Sequence, residues 1–366
     1  MKFTDEQHSV IKHGEGHALV SAVAGSGKTS TLKARIEFLL KNGAEPSRIL
    51  VLMYNRDIKD DFQNYYDLRN IGSPRIETFH SLGKKILEKY DERNRELKKK
   101  LKTDDYLQQN IIKKAHAACR SEHNVKEIKE IAEFIALRKA GGESPQDVEN
   151  NLEFDDINSW IKSAYHHYEI LRKSAGIRFF EDLIYDTLAI IKNDPNFISN
   201  HFCNILVDEY QDINRSQQSL LKALVGVRTN VMVVGDPDQC IYEWRGSRPD
   251  FIVGLFENEF SYVQRYHLGK TFRFGHQVSL LANACIRHNT NRLKNICISA
   301  EDTPSAEIFH HMSNLFKALF LNKFASFIYL LTICVVLCPV IAIILRSSAP
   351  DSAAEVAKPD LRLCPE

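Results

Sequence analysis

The sequence shows no excess of charge of either sign and no CxxC pair. It contains 48 lysines and arginines against 47 aspartates and glutamates in 366 residues, a net charge of +1. Any surface for nucleic acid must therefore be a local patch, because the chain as a whole is not a polycation. The eight cysteines are scattered, which argues against a disulfide framework and a zinc module and favours a reducing compartment.

Internal repeats and low-complexity segments are also lacking. Hydrophobic residues make up 44% and charged residues 26% of the chain, a composition that is typical of globular proteins and excludes a disordered or collagen-like chain. At about 150 residues per domain, the length predicts two or three domains.

One segment lacks charge altogether. Residues 324–345 (FASFIYLLTICVVLCPVIAIIL) form an uncharged run of 22 residues between Lys323 and Arg346. As a helix this run would reach about 33 Å, enough to cross the hydrocarbon core of a bilayer. The pattern predicts a transmembrane helix at 324–345 and a tail at 346–366. The alternative is a buried helix of a soluble domain, which rarely runs this long without a charge.

Strand-like and helix-like patterns alternate over the first 80 residues. A β-prone run at 18–23 leads through a glycine-rich loop into a helical pattern at 31–40, and a buried-strand run follows at 48–54. Strand, helix and strand with short connections predict a right-handed parallel βαβ unit. Further strand signals at 204–207 and 231–234 each end in acidic residues, so we expect an α/β fold with a parallel sheet.

Residues 84–175 differ in character, because they are rich in Lys, Glu, Gln and Asn and carry few strand signals. We interpret them as a helical insertion. The charge run around Lys98-Lys99-Lys100 is typical of a solvated helix face, and a DNA contact is the alternative.

The strongest signal in the chain is the run Ala22-Val23-Ala24-Gly25-Ser26-Gly27-Lys28-Thr29. Glycines let backbone N–H groups wrap closely around a phosphate where a Cβ would intrude. Lys28 would place a positive charge on the outer phosphates, the Thr29 hydroxyl would ligate Mg²⁺, and the next helix would direct its N-terminal dipole at the same anion. Ala22 stands where the usual pattern has Gly, a mild departure. The flanking strand and helix argue against a chance match.

Two hydrophobic strands end in acidic side chains. Ile205-Leu206-Val207 is followed by Asp208 and Glu209, and the carboxyl ends of parallel strands face the ligand crevice. We expect Asp208 to hold Mg²⁺ and Glu209 to accept a proton from the attacking water. The next strand ends in Gly235-Asp236-Pro237-Asp238-Gln239, where Gln239 would sense the γ-phosphate or orient the water.

A Trp244-Arg245 pair lies in the Gly-containing loop that follows this motif. An exposed tryptophan there would form a platform on which a nucleobase stacks. The alternative is an ordinary core tryptophan, because Trp is usually largely buried.

With these blocks in place, residues 1–300 resemble a UvrD/Rep-type superfamily 1 DNA helicase. The runs Val207-Asp208-Glu209-Tyr210-Gln211-Asp212 and Val234-Gly235-Asp236-Pro237-Asp238-Gln239 are similar to the family's hydrolysis and coupling motifs. Together with the following Tyr-x-Trp-Arg-Gly run, the second of them disfavours other P-loop ATPases such as recombinases or transport ATPases.

The resemblance also implies which residues bind ATP. Phe3-Thr4-Asp5-Glu6-Gln7 resembles the family's adenine-reading motif, and Thr271-Phe272-Arg273-Phe274 resembles the motif that opens the second motor domain. By this resemblance Gln7 reads the base, Phe272 stacks on adenine and Arg273 reaches the γ-phosphate. The full set assigned to the nucleotide is Gln7, Ala24, Gly25, Ser26, Gly27, Lys28, Thr29, Ser30, Phe272 and Arg273.

Two further motifs resemble the single-strand-contacting motifs of the family's first motor domain. They are Met53-Tyr54-Asn55-Arg56 and Thr78-Phe79-His80-Ser81-Leu82. The residues assigned to DNA are Tyr54, Asn55, Thr78, His80, Trp244 and Arg245. For Tyr54, Thr78 and His80 the alternative is an ordinary strand-end or turn residue.

The resemblance implies two RecA-like α/β domains with ATP and Mg²⁺ between them, a partner that is single-stranded DNA or a 3′-tailed duplex, and translocation from 3′ to 5′. The first motor domain would comprise 1–83 and 176–267, with the helical insertion at 84–175 between its parts. Residues 268–305 would be the truncated start of the second domain. The motor would be cytoplasmic and anchored to the membrane through 324–345.

The resemblance ends near residue 300, although family members usually continue for several hundred residues and supply two more motifs. Two interpretations fit. A truncated helicase gene runs into unrelated sequence, which the abrupt change near residue 305 favours, or a membrane-tethered module is completed by a partner chain. We therefore expect a 3′–5′ helicase and single-stranded-DNA-dependent ATPase that is incomplete. The alternative is a membrane-tethered remnant that binds ATP and single-stranded DNA without unwinding.

Overall fold

The computed structural model describes residues 2–69, 72–94, 100–101, 105–120, 124–151, 157–198, 201–289, 292–293 and 295–301. The predicted membrane helix at 324–345 and the tail at 346–366 lie outside these ranges, as do Lys98 and Lys99 of the charge run. Among the described residues, no helix combines the length and the apolar character that crossing a bilayer requires.

The first part of the chain alternates helices and strands as the sequence predicts. Its elements are α1 (Asp5–Ile11), β1 (His17–Ala22), α2 (Lys28–Lys41), β2 (Ile49–Met53), α3 (Arg56–Asp67), β3 (Arg75–Thr78) and α4 (Phe79–Arg93). Helix α2 begins after Gly27, whose φ of 79° only glycine adopts readily. Its C-cap is Asn42, which is followed by a second left-handed glycine, Gly43.

A largely helical region follows. It contains β4 (Lys100–Leu101), α5 (Asp105–Ala117), α6 (Val125–Gly141), α7 (Pro145–Asn150), α8 (Ser159–Ser174) and β5 (Ile177–Arg178). Helices α5 to α8 enclose a hydrophobic cluster of their own that includes Ile131, Tyr165 and Tyr168. Helix α4 extends across residue 84, where the insertion is predicted to begin, and the division into domains stays a prediction.

The chain then returns to the sheet. The remaining elements are α9 (Asp182–Asn193), β6 (Asn204–Val207), α10 (Arg215–Leu224), β7 (Asn230–Gly235), α11 (Phe256–Glu259), β8 (Val263–Leu268), β9 (Lys270–Thr271), α12 (His276–Ile286) and β10 (Ile298–Ser299). Strand β9 pairs with β10 in a separate two-stranded sheet.

Six strands form one sheet in the order β3-β2-β6-β7-β1-β8, and all of its pairings are parallel. The predicted α/β fold with a parallel sheet is thereby confirmed. The inner strands are continuous apolar runs because helices cover both faces, and a large hydrophobic cluster lies on each side. The order places β1, β6 and β7 side by side, so the loops after these strands meet at one edge.

Candidate active site and nucleic-acid interface

The loop after β1 has the backbone of a phosphate cradle. Gly25 and Gly27 adopt φ values of 74° and 79°, which favour glycine. A Cβ on Gly25 would lie 2.5 Å from the Cβ of Arg273, and one on Gly27 would lie 2.8 Å from Nε2 of Gln7. Gly25 is therefore required by space as well as by conformation, whereas at Gly27 a Cβ would displace the end of the Gln7 side chain.

Ser26 fits an anion in the same loop. Its side chain is buried, and its Oγ has no hydrogen-bond partner among the residues that the structure describes. A buried hydroxyl without a partner is costly, and a phosphate oxygen would supply one. Of the other loop residues assigned to the nucleotide, Thr29 is exposed, whereas Ala24 and Ser30 are half-buried.

Lys28 lies among the carboxylates at the ends of β6 and β7. Its Nζ lies 3.1 Å from Oε2 of Glu209. Burial opposes the charge of Lys28, but the negative charges of Glu209, Asp236 and Asp208 outweigh it and raise the pKa of the ammonium group. These three carboxylates can carry more negative charge than Lys28 neutralises, so the site favours a further cation.

The carboxylates differ in how readily they ionise. Burial and the charge of Glu209 raise the pKa of Asp208 to about 7, and burial raises the pKa of Asp236 to about 6 despite the attraction of Lys28. At Glu209 burial would raise the pKa, but Lys28 and a hydrogen bond from Gln211 lower it. Glu209 is thus fully charged at neutral pH, where Asp208 titrates.

Glu209 is held in an uncommon backbone conformation, with φ 48° and ψ 47°, where a non-glycine residue is strained. Its N–H donates to Oδ1 of Asp208 at 3.0 Å. Its Oε2 accepts from Lys28 and, at 2.8 Å, from Nε2 of Gln211. The strain and both bonds aim the carboxylate at the phosphate loop.

Gln211 also joins the two acidic motifs. Its Oε1 accepts from the backbone N–H of Asp236 at 2.9 Å, while Gln239 donates through its side-chain amide to the Asp236 carboxylate. Gln239 therefore lies in a turn that is bonded, through Gln211, to Glu209. Gln211 is absent from the residues assigned by sequence, although it stands inside the hydrolysis motif.

The residues assigned to the adenine base and to the start of the second motor domain also contact the phosphate loop. Nε2 of Gln7 donates to the carbonyl of Ser26 at 2.9 Å. The N–H of Phe272 donates to the carbonyl of Gly25 at 2.9 Å, and the positive charge of Arg273 helps to lower the pKa of Glu209. The structure thus brings these distant parts of the sequence together at the phosphate loop.

Mg²⁺ is assigned to Thr29 and Asp208. Within the described ranges, no group of three or more His, Cys, Asp or Glu side chains forms a metal cluster. An ion that takes most of its ligands from phosphates and water needs few from the protein, and the excess of carboxylates around Lys28 fits such a cation. The assignment of Mg²⁺ to these two residues stays a prediction.

A groove of about 990 Å³ runs between α6 and the ends of the strands. Four of the six residues assigned to DNA line it, namely Tyr54, His80, Trp244 and Arg245. Trp244 is 68% exposed, so its interpretation as a core tryptophan is wrong. The Arg245 guanidinium lies 4.5 Å from the Trp244 ring centroid, which presents a flat and positively charged platform.

Two more aromatic pairs lie in or beside this groove. The ring of Tyr54 stacks on Tyr242 with a centroid distance of 5.4 Å, and that of His80 stacks on Phe180, which also lines the groove, at 3.9 Å. Burial lowers the pKa of His80 to about 4, so its imidazole is neutral at physiological pH. Neither Tyr242 nor Phe180 was assigned from the sequence, because each partner lies far away in the chain.

The other two residues assigned to DNA are helix N-caps. Oδ1 of Asn55 accepts from the N–H of Ile58 at 2.9 Å at the start of α3. Oγ1 of Thr78 accepts from the N–H of Ser81 at 3.1 Å at the start of α4. Both side chains have a structural function of their own, and neither lines the groove.

A parallel sheet with a phosphate loop, a paired lysine and glutamate, and an aromatic groove defines an α/β nucleotide-binding protein of the P-loop type. The chain matches the model of the UvrD/REP helicase N-terminal domain over residues 3–261, and it belongs to this family.

Curated relatives agree with this assignment. The ATP-dependent DNA helicase Rep of Buchnera aphidicola (subsp. Schizaphis graminum) is 30% identical over 80% of the chain and 45% of the relative's length. PcrA of Staphylococcus epidermidis is 29% identical over 78% of the chain and 40% of that helicase. DNA helicase II of Salmonella typhimurium is 29% identical over 79% of the chain and 41% of that relative's length. The chain thus spans less than half of these relatives' length.

Proposed function

We propose that this chain is an ATP-hydrolysing motor of the UvrD/Rep type whose turnover is stimulated by single-stranded DNA. The observation that carries the proposal is the contact between Lys28 and Glu209, 3.1 Å apart, which joins the phosphate loop to the end of β6. In this arrangement Lys28 binds the outer phosphates and Glu209, ionised at neutral pH, accepts the proton of the attacking water.

The remaining roles follow from position. The phosphates are wrapped by Gly25, Ser26 and Gly27. The adenine base is bound by Gln7 and Phe272, and Arg273 adds positive charge near the γ-phosphate. Mg²⁺ held by Thr29 and Asp208 would neutralise part of the charge on the phosphates. Gln239, bonded to Asp236, orients the water or senses the γ-phosphate.

DNA binds in the groove lined by Tyr54, His80, Trp244 and Arg245. Exposed aromatic faces stack on bases of any sequence, so we propose single-stranded DNA, including the 3′ tail of a duplex, as partner. We propose movement from 3′ to 5′ by likeness to the family, whose members include DNA helicases.

The first experiment measures ATP hydrolysis by the full chain with and without single-stranded DNA. Lys28→Ala should abolish it, because the phosphates lose their cation. Lys41→Ala is the matched control, since this residue lies on the same helix, is 73% exposed and pairs only with Glu37 in the described structure. Hydrolysis that Lys28→Ala leaves intact would overturn the proposal.

A second candidate is a protein that binds ATP and single-stranded DNA without unwinding. The chain covers 45% of the length of Rep of Buchnera, so unwinding is tested separately from ATP hydrolysis and DNA binding. A strand-displacement assay on a 3′-tailed duplex separates the two. Displacement by the chain supports the helicase, whereas binding of ATP and single-stranded DNA without displacement supports the second candidate. The membrane tether predicted at 324–345 lies outside the residues that the structure describes.

A further inference from the structure

The turn at 237–239 is clamped by the segment that follows α12. Oδ1 of Asp238 accepts from Nδ2 of Asn289 at 3.0 Å, and Oδ2 accepts from Nη2 of Arg292 at 3.0 Å. The contact is shielded from water, with 15% of the Arg292 side chain and 6% of the Asp238 side chain exposed. Shielded, charge-assisted bonds of this kind are stronger than exposed ion pairs.

Asp238 shares its turn with the residues closest to the chemistry. The N–H of Asp238 donates to Oδ1 of Asp236 at 3.1 Å, and Gln239 donates to the same carboxylate. Gln211 accepts a hydrogen bond from the backbone N–H of Asp236 and donates one to the Glu209 carboxylate. A displacement of Asp238 therefore changes the position of Gln239 relative to the hydrolysis motif.

Arg292 in turn belongs to the segment that carries Phe272. Its Nη2 donates to the carbonyl of Asn295 at 2.8 Å. The side chain of Asn283, on α12, forms two hydrogen bonds with the backbone of Cys297, at 2.8 and 2.9 Å. Strand β10 then pairs with β9, which directly precedes Phe272. Arg292 is thus bonded into the same small unit as the residues that contact the phosphate loop.

We propose that Arg292 is a positioning residue for ATP hydrolysis, which acts by holding Asp238 and thereby sets the position of Gln239 with respect to the segment bearing Arg273. The proposal rests on the proposed function. It assigns a kinetic role to an ion pair that joins the turn at 236–239, which precedes β8 in the chain, to Arg292, which follows α12.

The test is a double-mutant cycle in the full chain. We expect Arg292→Met and Asp238→Asn each to lower kcat at saturating single-stranded DNA by about tenfold, with KM for ATP changed by less than about threefold. KM should change little because neither side chain contacts the phosphate loop. The double variant should be no slower than the slower single variant, because the two changes remove the same contact. Arg292→Lys should recover part of kcat.

Arg265→Met is the matched control, since Arg265 forms an exposed ion pair with Glu257 at the sheet edge. It should keep kcat within about twofold of the unaltered chain, as exposed pairs contribute little. An equal loss in Arg265→Met, single effects that multiply in the double variant, or an unchanged kcat in Arg292→Met would overturn the proposal.

Amide hydrogen exchange at the turn distinguishes a failure of the inference about Arg292 from a failure of the proposed function. If the unaltered chain shows no Lys28-dependent hydrolysis, the proposed function fails and the role of Arg292 in hydrolysis fails with it. Faster exchange of the amides at 238–240 in Arg292→Met, but not in Arg265→Met, would then show that Arg292 clamps the turn without a role in hydrolysis. If hydrolysis is present and Lys28-dependent, unchanged exchange together with unchanged kcat sinks only the inference about Arg292.

Discussion

Asp208 and Glu209 are consecutive in the chain, yet their pKa values are displaced in opposite directions. Burial and the charge of Glu209 raise the pKa of Asp208 to about 7, whereas Lys28 and Gln211 outweigh burial and lower the pKa of Glu209. Neighbouring carboxylates in different environments can take different roles. Here the difference suits Glu209 to a base and Asp208 to a group whose charge is stabilised by a bound cation.

Replacing either carboxylate by its amide should separate these roles. Glu209→Gln removes the proton acceptor, so we expect kcat for ATP to fall by about 10²–10⁴-fold while ATP still binds. Asp208→Asn should instead raise the Mg²⁺ concentration needed for half-maximal rate. Steady-state hydrolysis at graded Mg²⁺, with nucleotide binding measured alongside, checks both. A Glu209→Gln variant that keeps a tenth of the turnover would contradict the assignment of the base.

The groove aromatics should contribute individually to DNA binding. Trp244→Ala and Tyr54→Ala each remove a stacking surface, and we expect each to weaken the binding of a labelled oligo-dT by about 1–3 kcal/mol. Tyr262→Ala is the matched control, because Tyr262 is 94% exposed but does not line the groove. Fluorescence anisotropy gives the three affinities. Normal binding by both groove variants would show that the platform interpretation is wrong.

The phosphate loop and the inner strands could be predicted from sequence because each is determined locally. Strand runs at 204–207 and 231–234 correspond to β6 and β7, since a strand covered on both faces must be apolar throughout. The loop follows from its two glycines, which adopt the left-handed backbone. Strand β8 has no such pattern, because half of its side chains face outward at the sheet edge.

Other side-chain contacts could not be predicted, either because a motif residue bonds its own helix or because its partner lies far away in the chain. Asn55 and Thr78 belong to motifs that resemble DNA-contacting ones, but their oxygens accept backbone N–H groups at helix starts. Ser81 is not the Glu or Gln of the usual capping-box signature, so the sequence carried only the general preference of Thr for N-cap positions. Arg292 gave no signal at all, since its partner Asp238 is 54 residues away.

A pair of glycine variants should separate backbone strain from phosphate binding. Gly25 and Gly43 both have positive φ, 74° and 85°, so Ala at either position should cost about 1 kcal/mol of stability through backbone strain, and Gly25→Ala should cost more because its Cβ clashes with Arg273. A Cβ at Gly43 meets nothing within 4 Å, whereas one at Gly25 meets Arg273 and Thr271. We expect only Gly25→Ala to lose affinity for a fluorescent ATP analogue. Equal affinities in the two variants would contradict the cradle.

His80 should make stability depend on pH in a defined window. Its folded pKa of about 4 lies below the usual 6.5, so between these values the folded state binds fewer protons than the unfolded one. The contribution of the neutral ring is complete above pH 6.5 and is lost as the pH falls towards 4.

The buried acids Asp208, Asp212 and Asp236, whose pKa values are raised to about 7, 7 and 6, have the opposite slope. The informative quantity is therefore the difference between the unaltered chain and His80→Gln. Urea unfolding at pH 7.5, 6, 5 and 4 should show this difference shrinking as the pH falls. A difference that stays constant would mean that His80 titrates normally in the folded protein.

A buried ion network ties the helical region to the sheet's own helices. The Arg172 guanidinium, fully buried on α8, donates to Glu169 at 2.6 Å and to Asp186 of α9 at 2.8 Å. Lys139 of α6 pairs with Glu169 and Asp182. Since α6 forms one wall of the groove, this network connects that wall to α8 and α9.

Breaking the network on one side should be far more costly than breaking an exposed pair. Arg172→Met leaves buried carboxylates with one cationic partner fewer, and we expect a loss of about 3–5 kcal/mol in the free energy of unfolding. Arg93→Met, which disrupts a pair with Asp194 that is 63% and 38% exposed, should cost less than about 1 kcal/mol. Urea unfolding followed by circular dichroism measures both. Similar losses in the two variants would show that the network contributes no more than a surface contact, and that the position of α6 is set by the apolar packing around Ile131 and Tyr165 instead.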